Sequence, residues 1–297
     1  MINAQIEVND NNKTNETAEI TLCRSNRNYE HRTIIASMSL EHNFDRTFSD
    51  MKLLSSIQDI PELNKDTVHL RNEQELLDKL NKLIKDGHSN LQIVTDFDHT
   101  LTRHSLANGN TVLTSFDEDN RLAGIYKPIE CDPTMNVQDK IQHMVDWYVA
   151  AHGLLKGIKF PRHELMDVAH QMSESFREGV QDLMSWSEKE QVPVLVFSAG
   201  LGESVGEVIH TYNKNEAAIK NTEYYEMVKE RSNVILMGDN IGDAGMAEGM
   251  EHCDAVIKVG FLGRNTAGNL ENYKNKFDIV LINDPTMDIP NAILKLL

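Results

Sequence analysis

Leu91-Gln92-Ile93-Val94-Thr95 is a short, β-branched apolar run, and it stops at Asp96-Phe97-Asp98-His99-Thr100-Leu101. A run of this length and composition reads as a strand covered on both faces. Such a strand belongs to a parallel sheet with helices packed on each side. Just upstream, Leu76, Leu77, Leu80, Leu83 and Ile84 fall at helical spacing between Glu73 and Asp86, and Gly87 supplies a stop. Downstream, strand signals return at Pro193–Phe197, Asn233–Met237, Ala255–Val259 and Asp278–Ile282, with helical segments between most of them. The expected fold is therefore α/β, with a Rossmann-like parallel sheet.

One block breaks the alternation. From about Arg103 to Glu190 the chain reads as largely helical. Ile141, Met144, Val145, Tyr148 and Val149 predict a helix over 138–155, and 164–186 reads as another long helical stretch. We read this block as an inserted, mainly helical cap over 103–190, with the core formed by 59–102 and 191–297. Residues 1–58 are rich in Asn, Thr, Ser and charge, and are expected to be a disordered or weakly ordered leader. The apolar material in that leader is Ile34-Ile35-Ala36 and Met51-Lys52-Leu53-Leu54.

Composition narrows the function. The chain has 297 residues, with 29 basic against 46 acidic, a formal charge of −17. That balance argues against a polymeric nucleic acid as partner. A phosphorylated substrate needs a local cation or metal to overcome the mean field. No run of about 18 apolar residues is present, so no membrane span is expected. Cys23, Cys131 and Cys253 are few and far apart, which points to a reducing compartment rather than a disulfide framework. The amino end lacks the pattern of a signal peptide. A cytoplasmic monomer is the expectation.

In open α/β sheets, sites form at the carboxyl ends of the strands. Three strands here end in residues that carry chemistry: Asp96-Phe97-Asp98-His99-Thr100, Ser198-Ala199-Gly200, and Gly238-Asp239-Asn240-Ile241-Gly242-Asp243. Lys214 lies between the second and the third. Taken singly, each is commonplace, since such stretches usually make turns or helix caps. Their shared position after apolar strands of one sheet is what gives them weight.

Together these stretches resemble the haloacid dehalogenase superfamily of aspartyl phosphohydrolases. Within it, the chain is more closely similar to the cytosolic 5′-nucleotidase III (pyrimidine 5′-nucleotidase) family. The likeness runs from about Ile60 to the carboxyl end, through LQIVTDFDHTL (91–101), ECDP (130–133), MVDWYVAAHGLL (144–155), FSAGLG (197–202), NKNEAAIKNTEY (213–224) and LMGDNIGDAGM (236–246). It implies a haloacid dehalogenase-like core and a 5′-nucleotidase activity on pyrimidine nucleoside 5′-monophosphates. Asp96 is then the nucleophile and Asp98 the general acid and base. Mg²⁺ is the implied cofactor, held by Asp96, the Asp98 carbonyl and Asp239, with Asp243 orienting its water. Ser198, Ala199 and Lys214 are implied phosphate binders, and Glu130 the group that meets the base. Alternatives are a phosphatase for another small ester, or an impaired homologue that only binds nucleotide.

The chain departs from that pattern at three places. Relatives carry Ser at the position of Ala151, which is linked to 7-methylguanylate binding. They tend to carry an aromatic ring near His104. They also place a strand and hairpin between the Ser motif and the Lys, where this chain has only Ala199 to Asn213. A helix over 203–211 would leave Lys214 barely within reach of a phosphate, so weaker phosphate binding is expected than in relatives with the longer connection.

Overall fold

A computed structural model describes residues 35–36, 52–106, 109–110, 112, 120–130, 132, 134–155, 172–198, 220, 223–249, 252–263 and 266–297. Among these, seven strands form one sheet. They are β1 (Ile35–Ala36), β2 (Val68–Leu70), β3 (Leu91–Thr95), β4 (Val194–Val196), β5 (Asn233–Gly238), β6 (Ala255–Leu262) and β7 (Ile279–Ile282). Their spatial order is β1-β4-β3-β5-β6-β7-β2. The five central strands run parallel, and β1 and β2 close the two edges antiparallel to β4 and β7.

The five central strands coincide with the five runs read from the sequence. Every residue of β3 and β5 is buried, which is why neither alternates with polar residues. Consecutive side chains still separate to opposite faces. Ile93 and Ile235 join a core with Leu76, Leu80 and Leu83 of α1 (Glu73–Asp86) and Ile293 of α7 (Asp288–Leu294). Val94, Val234 and Leu236 point the other way, to a core with Tyr224 of α5 (Glu223–Val228), Ala244 and Phe277. The first core also takes in Ile57 and Ile60 from a pair of short 3-10 turns before β2.

Helices α2 (Asn120–Glu130) and α3 (Val137–Leu155) pack on each other around a third cluster of Leu122, Ala123, Met144, Trp147 and Tyr148. Trp147 and Tyr148 are core residues of that pair, and Tyr126 stacks on Trp147 with centroids 5.8 Å apart. The long helix expected over 164–186 is a correction among the described residues. Met172–Ser175 is a 3-10 turn, Phe176 and Glu178 make isolated β-bridges, and α4 spans only Val180–Lys189. Gly179, at φ +84°, sits between them in the left-handed region that ends a helical path and that glycine adopts without a Cβ clash. The remaining helix is α6 (Thr266–Lys274).

Candidate active site

Strands β4, β3 and β5 lie side by side and parallel, so their carboxyl ends meet at one edge. Register makes this exact to a residue. Thr95 pairs with Val196 on one side and with Met237 on the other. The ladder then continues one step, with Phe197 N donating to the Thr95 carbonyl at 2.7 Å and Asp96 N donating to the Met237 carbonyl at 3.0 Å. Asp96 is thus level with Phe197 and Gly238, and Ser198 and Asp239 follow one residue further along the two neighbouring strands.

The turn after β3 is tight. The amides of Thr100, Leu101 and Thr102 all converge on the Phe97 carbonyl, and His99 N donates to Thr102 Oγ1 at 2.8 Å. His99 adopts φ +57°, left-handed for a residue with a Cβ. Its ring stacks on His104, 4.4 Å between centroids. Asp98 stands on this turn half-buried, two residues beyond the buried Asp96.

The turn after β5 delivers a second pair of carboxylates. Asn240 caps the short 3-10 helix Ile241–Gly245, accepting from Gly242 N, while Asp243 Oδ2 accepts from Asn240 N at 3.0 Å. This reciprocal cap turns the Asp243 side chain back under the strand end, where it is 1% exposed. Gly238 makes the approach feasible. A Cβ there would lie 2.3 Å from Asp243 Cβ, so only glycine fits.

Carboxylate oxygens of Asp96, Asp239 and Asp243 all lie within 4.8 Å of one another. At that separation two like charges repel by roughly 3 kcal/mol in a medium of effective dielectric about 20. Three hard oxygen donors gathered at this distance suit a divalent cation that takes oxygen ligands. The acidic group thus fits a metal ion chemically.

Other expected site residues fall elsewhere or outside view. Ser198 is half-buried just past β4. Glu130 is the last residue of α2, half-buried on the helical pair, where its carbonyl accepts from Lys140 Nζ at 2.7 Å. Ala199 and Lys214 lie outside the described residues, as does the connection between Ser198 and Lys214. Two residues at the site escaped the sequence reading. Gly238 carries a detectable signal, a glycine ending a β-branched run before Asp. Arg177, described below, carries none.

Comparison with known proteins accords with this geometry. The family description "Pyrimidine 5'-nucleotidase (UMPH-1)" matches residues 93–209 and 205–297, two segments that meet inside the Ser198–Lys214 connection. A 7-methylguanosine phosphate-specific 5'-nucleotidase of Drosophila melanogaster is 33% identical over 81% of this chain and 90% of its own length. The enzyme of the same description from Homo sapiens is 30% identical over 80% of this chain and 95% of its own. Among solved structures, cytosolic 5'-nucleotidase IIIB bound to cytidine superposes with a TM-score of 0.76 at 31% identity, covering 81% of this chain and 97% of that one. With the family matched across most of the sheet and all three strand-end motifs, the chain belongs to the pyrimidine 5′-nucleotidase family, phosphoric monoester hydrolases built on a haloacid dehalogenase-like core.

Proposed function

We propose that the protein is a Mg²⁺-dependent 5′-nucleotidase that hydrolyses nucleoside 5′-monophosphates, pyrimidine ones first, through an aspartyl-phosphate on Asp96. The observation that carries this reading is the juxtaposition of Asp96, Asp239 and Asp243 at the carboxyl ends of β3 and β5. In the first step a carboxylate oxygen of Asp96 attacks phosphorus, and the bond from phosphorus to the nucleoside 5′ oxygen breaks. Asp98 gives its proton to that oxygen as it leaves, then takes a proton from the water that attacks the phosphoaspartate. Phosphate departs and Asp96 is regenerated. Asp96, the Asp98 carbonyl and Asp239 would hold Mg²⁺, with Asp243 beside them. The ion, when bound, neutralises the phosphate and the carboxylates that face it. Ser198, Ala199 and Lys214 are the proposed phosphate contacts, and Glu130 the proposed base contact.

The division into a leader (1–58), a core (59–102 and 191–297) and a cap (103–190) belongs to the same proposal, as do a monomeric state and a cytosolic setting. Relatives described as cytosolic support the last point. Among the described residues no helix is long and apolar enough to cross a membrane.

The test is phosphate release from a panel of nucleoside monophosphates, with Mg²⁺ and with EDTA, for wild type and Asp96→Asn. Asp96→Asn is expected to lose several orders of magnitude in turnover while remaining folded. Hydrolysis within tenfold of wild type overturns the covalent mechanism. A second reading, preference for 7-methylguanylate, is favoured by the descriptions of the fly and human relatives and opposed by Ala151. The same panel decides between the two, and faster turnover of a non-nucleotide ester would overturn both.

A further inference from the structure

Arg177 stands outside every motif above, yet it is bound to the turn that carries Asp98. Its residue exposure is 5%, so the guanidinium is buried. Nε donates to the Thr100 carbonyl at 2.7 Å and one terminal nitrogen donates to the His99 carbonyl at 2.5 Å. The other terminal nitrogen donates to the Asp284 carbonyl, in the loop that follows β7. The face of the guanidinium lies over Phe261 of β6, 4.0 Å from the ring centroid. Its backbone is fixed too, since Arg177 N donates to the Leu101 carbonyl at 2.9 Å and Phe176 bridges Thr102.

Two features make this more than a buried arginine satisfied by carbonyls. The first is where the contacts fall. The His99 and Thr100 carbonyls are one and two residues beyond Asp98, and His99 is the left-handed residue of the turn. Holding a residue with a Cβ in that region costs on the order of 1 kcal/mol or more, so something must hold it there. A planar fork holds two successive carbonyls in fixed directions, which the single rotatable ammonium of a lysine does not. The second is charge. Burial lowers the Arg177 pKa to about 10, and the Asp239 and Asp284 carboxylates act in the opposite direction. It therefore stays cationic at neutral pH, in the field of the Asp239 and Asp284 carboxylates.

We propose that Arg177 is a positioning residue for the hydrolysis: its guanidinium sets the His99–Thr100 backbone, and through it the place of Asp98 relative to Asp96. The proposal rests on the reading of Asp98 as general acid and base. It touches no substrate in this role. Its effect falls on turnover rather than on substrate affinity, because the phosphate and base contacts come from other elements.

The experiment uses the full chain and four proteins: wild type, Arg177→Lys, Arg177→Ala and Asp98→Asn. Each is assayed for phosphate release from cytidylate with Mg²⁺, and thermal melting reports the folded fraction at the assay temperature. Arg177→Ala is expected to lose about 100-fold or more in kcat with KM within threefold, as a misplacement of about 1 Å can do. Arg177→Lys keeps the charge but not the fork, and is expected to lose at least tenfold. A cavity of about 270 Å³ lined by Arg103, Arg177, Phe261, Asn283 and Asp284 gives small solutes access to the vacated space. Guanidinium chloride at tens of millimolar should therefore restore kcat of Arg177→Ala at least tenfold, and urea at the same concentration should not.

Rescue by guanidinium alone supports the proposal. If kcat per folded molecule of both Arg177 variants stays within threefold of wild type, the proposal is wrong. Loss without rescue, or loss carried entirely by KM, also overturns it. Should Arg177→Ala not fold, Arg177→Lys decides by the same kcat criterion. Full activity of Asp98→Asn would instead remove the general-acid reading, a failure visible separately from that of Arg177.

Discussion

Gly238→Ala is a one-methyl change with a consequence that can be worked from distances. The added Cβ would lie 2.3 Å from Asp243 Cβ, 2.8 Å from its Oδ2 and 2.9 Å from its Cγ. Carbon atoms in contact prefer about 3.5 Å or more, so the Asp243 side chain must retreat by about 1 Å. Asp243 Oδ2 sits 3.0 Å from Asn240 N, and the same retreat breaks that bond. Losing half of a reciprocal helix cap costs about 1 kcal/mol, and overpacking adds roughly 1–3 kcal/mol. The catalytic effect is larger. Displacing one of three carboxylates by about 1 Å is expected to lower kcat/KM on cytidylate by around 100-fold. It should also raise the Mg²⁺ concentration needed for half-maximal rate. The control is Gly245→Ala, whose Cβ would come no closer than 3.4 Å to the exposed Glu248 carboxylate, and which should keep its rate within twofold. A Gly238→Ala enzyme within threefold of wild type would show that Asp243 does not need its present position.

Asp239→Asn removes one charge from the acidic group and should weaken Mg²⁺ binding, with part of the rate recovered at raised Mg²⁺; equal rates in EDTA and Mg²⁺ would contradict the metal assignment. Glu130→Gln should change the ranking among nucleobases more than it changes turnover of a base-free phosphate ester, and an equal loss on both kinds of substrate would make Glu130 a structural residue. Asp278 is a stability position. Its carboxylate is buried and accepts from Lys79 Nζ at 2.9 and 3.0 Å and from Lys258 N at 2.9 Å, with Arg71 at 3.1 Å. Asp278→Ala should lower the urea-unfolding free energy by about 1–3 kcal/mol, the partial exposure of Lys79 and Arg71 keeping the loss moderate. Its kcat should not change, because Asp278 precedes β7 at the amino end of the sheet.

The central sheet and the acidic motifs were legible in the sequence for a local reason. A strand buried on both faces is apolar at most positions, so β3, β5, β6 and β7 announce themselves as runs despite Gln92, Asn233 and Lys258 within them. Asp96, Asp98, Asp239 and Asp243 lie within six residues of a strand end, so the same runs that give the sheet also place the carboxylates at its edge. Helix α1 is equally local, with its apolar spacing, the Asn72 cap accepting from Gln74 N and Glu75 N, and Gly87 at its end.

What the sequence could not decide was every relation whose physical cause is a partner far along the chain. The two-residue β1 and three-residue β2 are too short for a periodicity, and exist because β4 and β7 offer open edges to them. The 164–186 stretch has helical composition throughout, but Phe176 and Glu178 are drawn into bridges with Thr102 and Thr286, and backbone pairing there outweighs helix propensity. Gly238 reads as an ordinary strand-end glycine until the Asn240 cap folds Asp243 back against it. Arg177 reads as one more surface cation. Its partners are 77, 78 and 107 residues away, and only when the sheet brings the turn after β3 next to the loop after β7 does one guanidinium come to hold both.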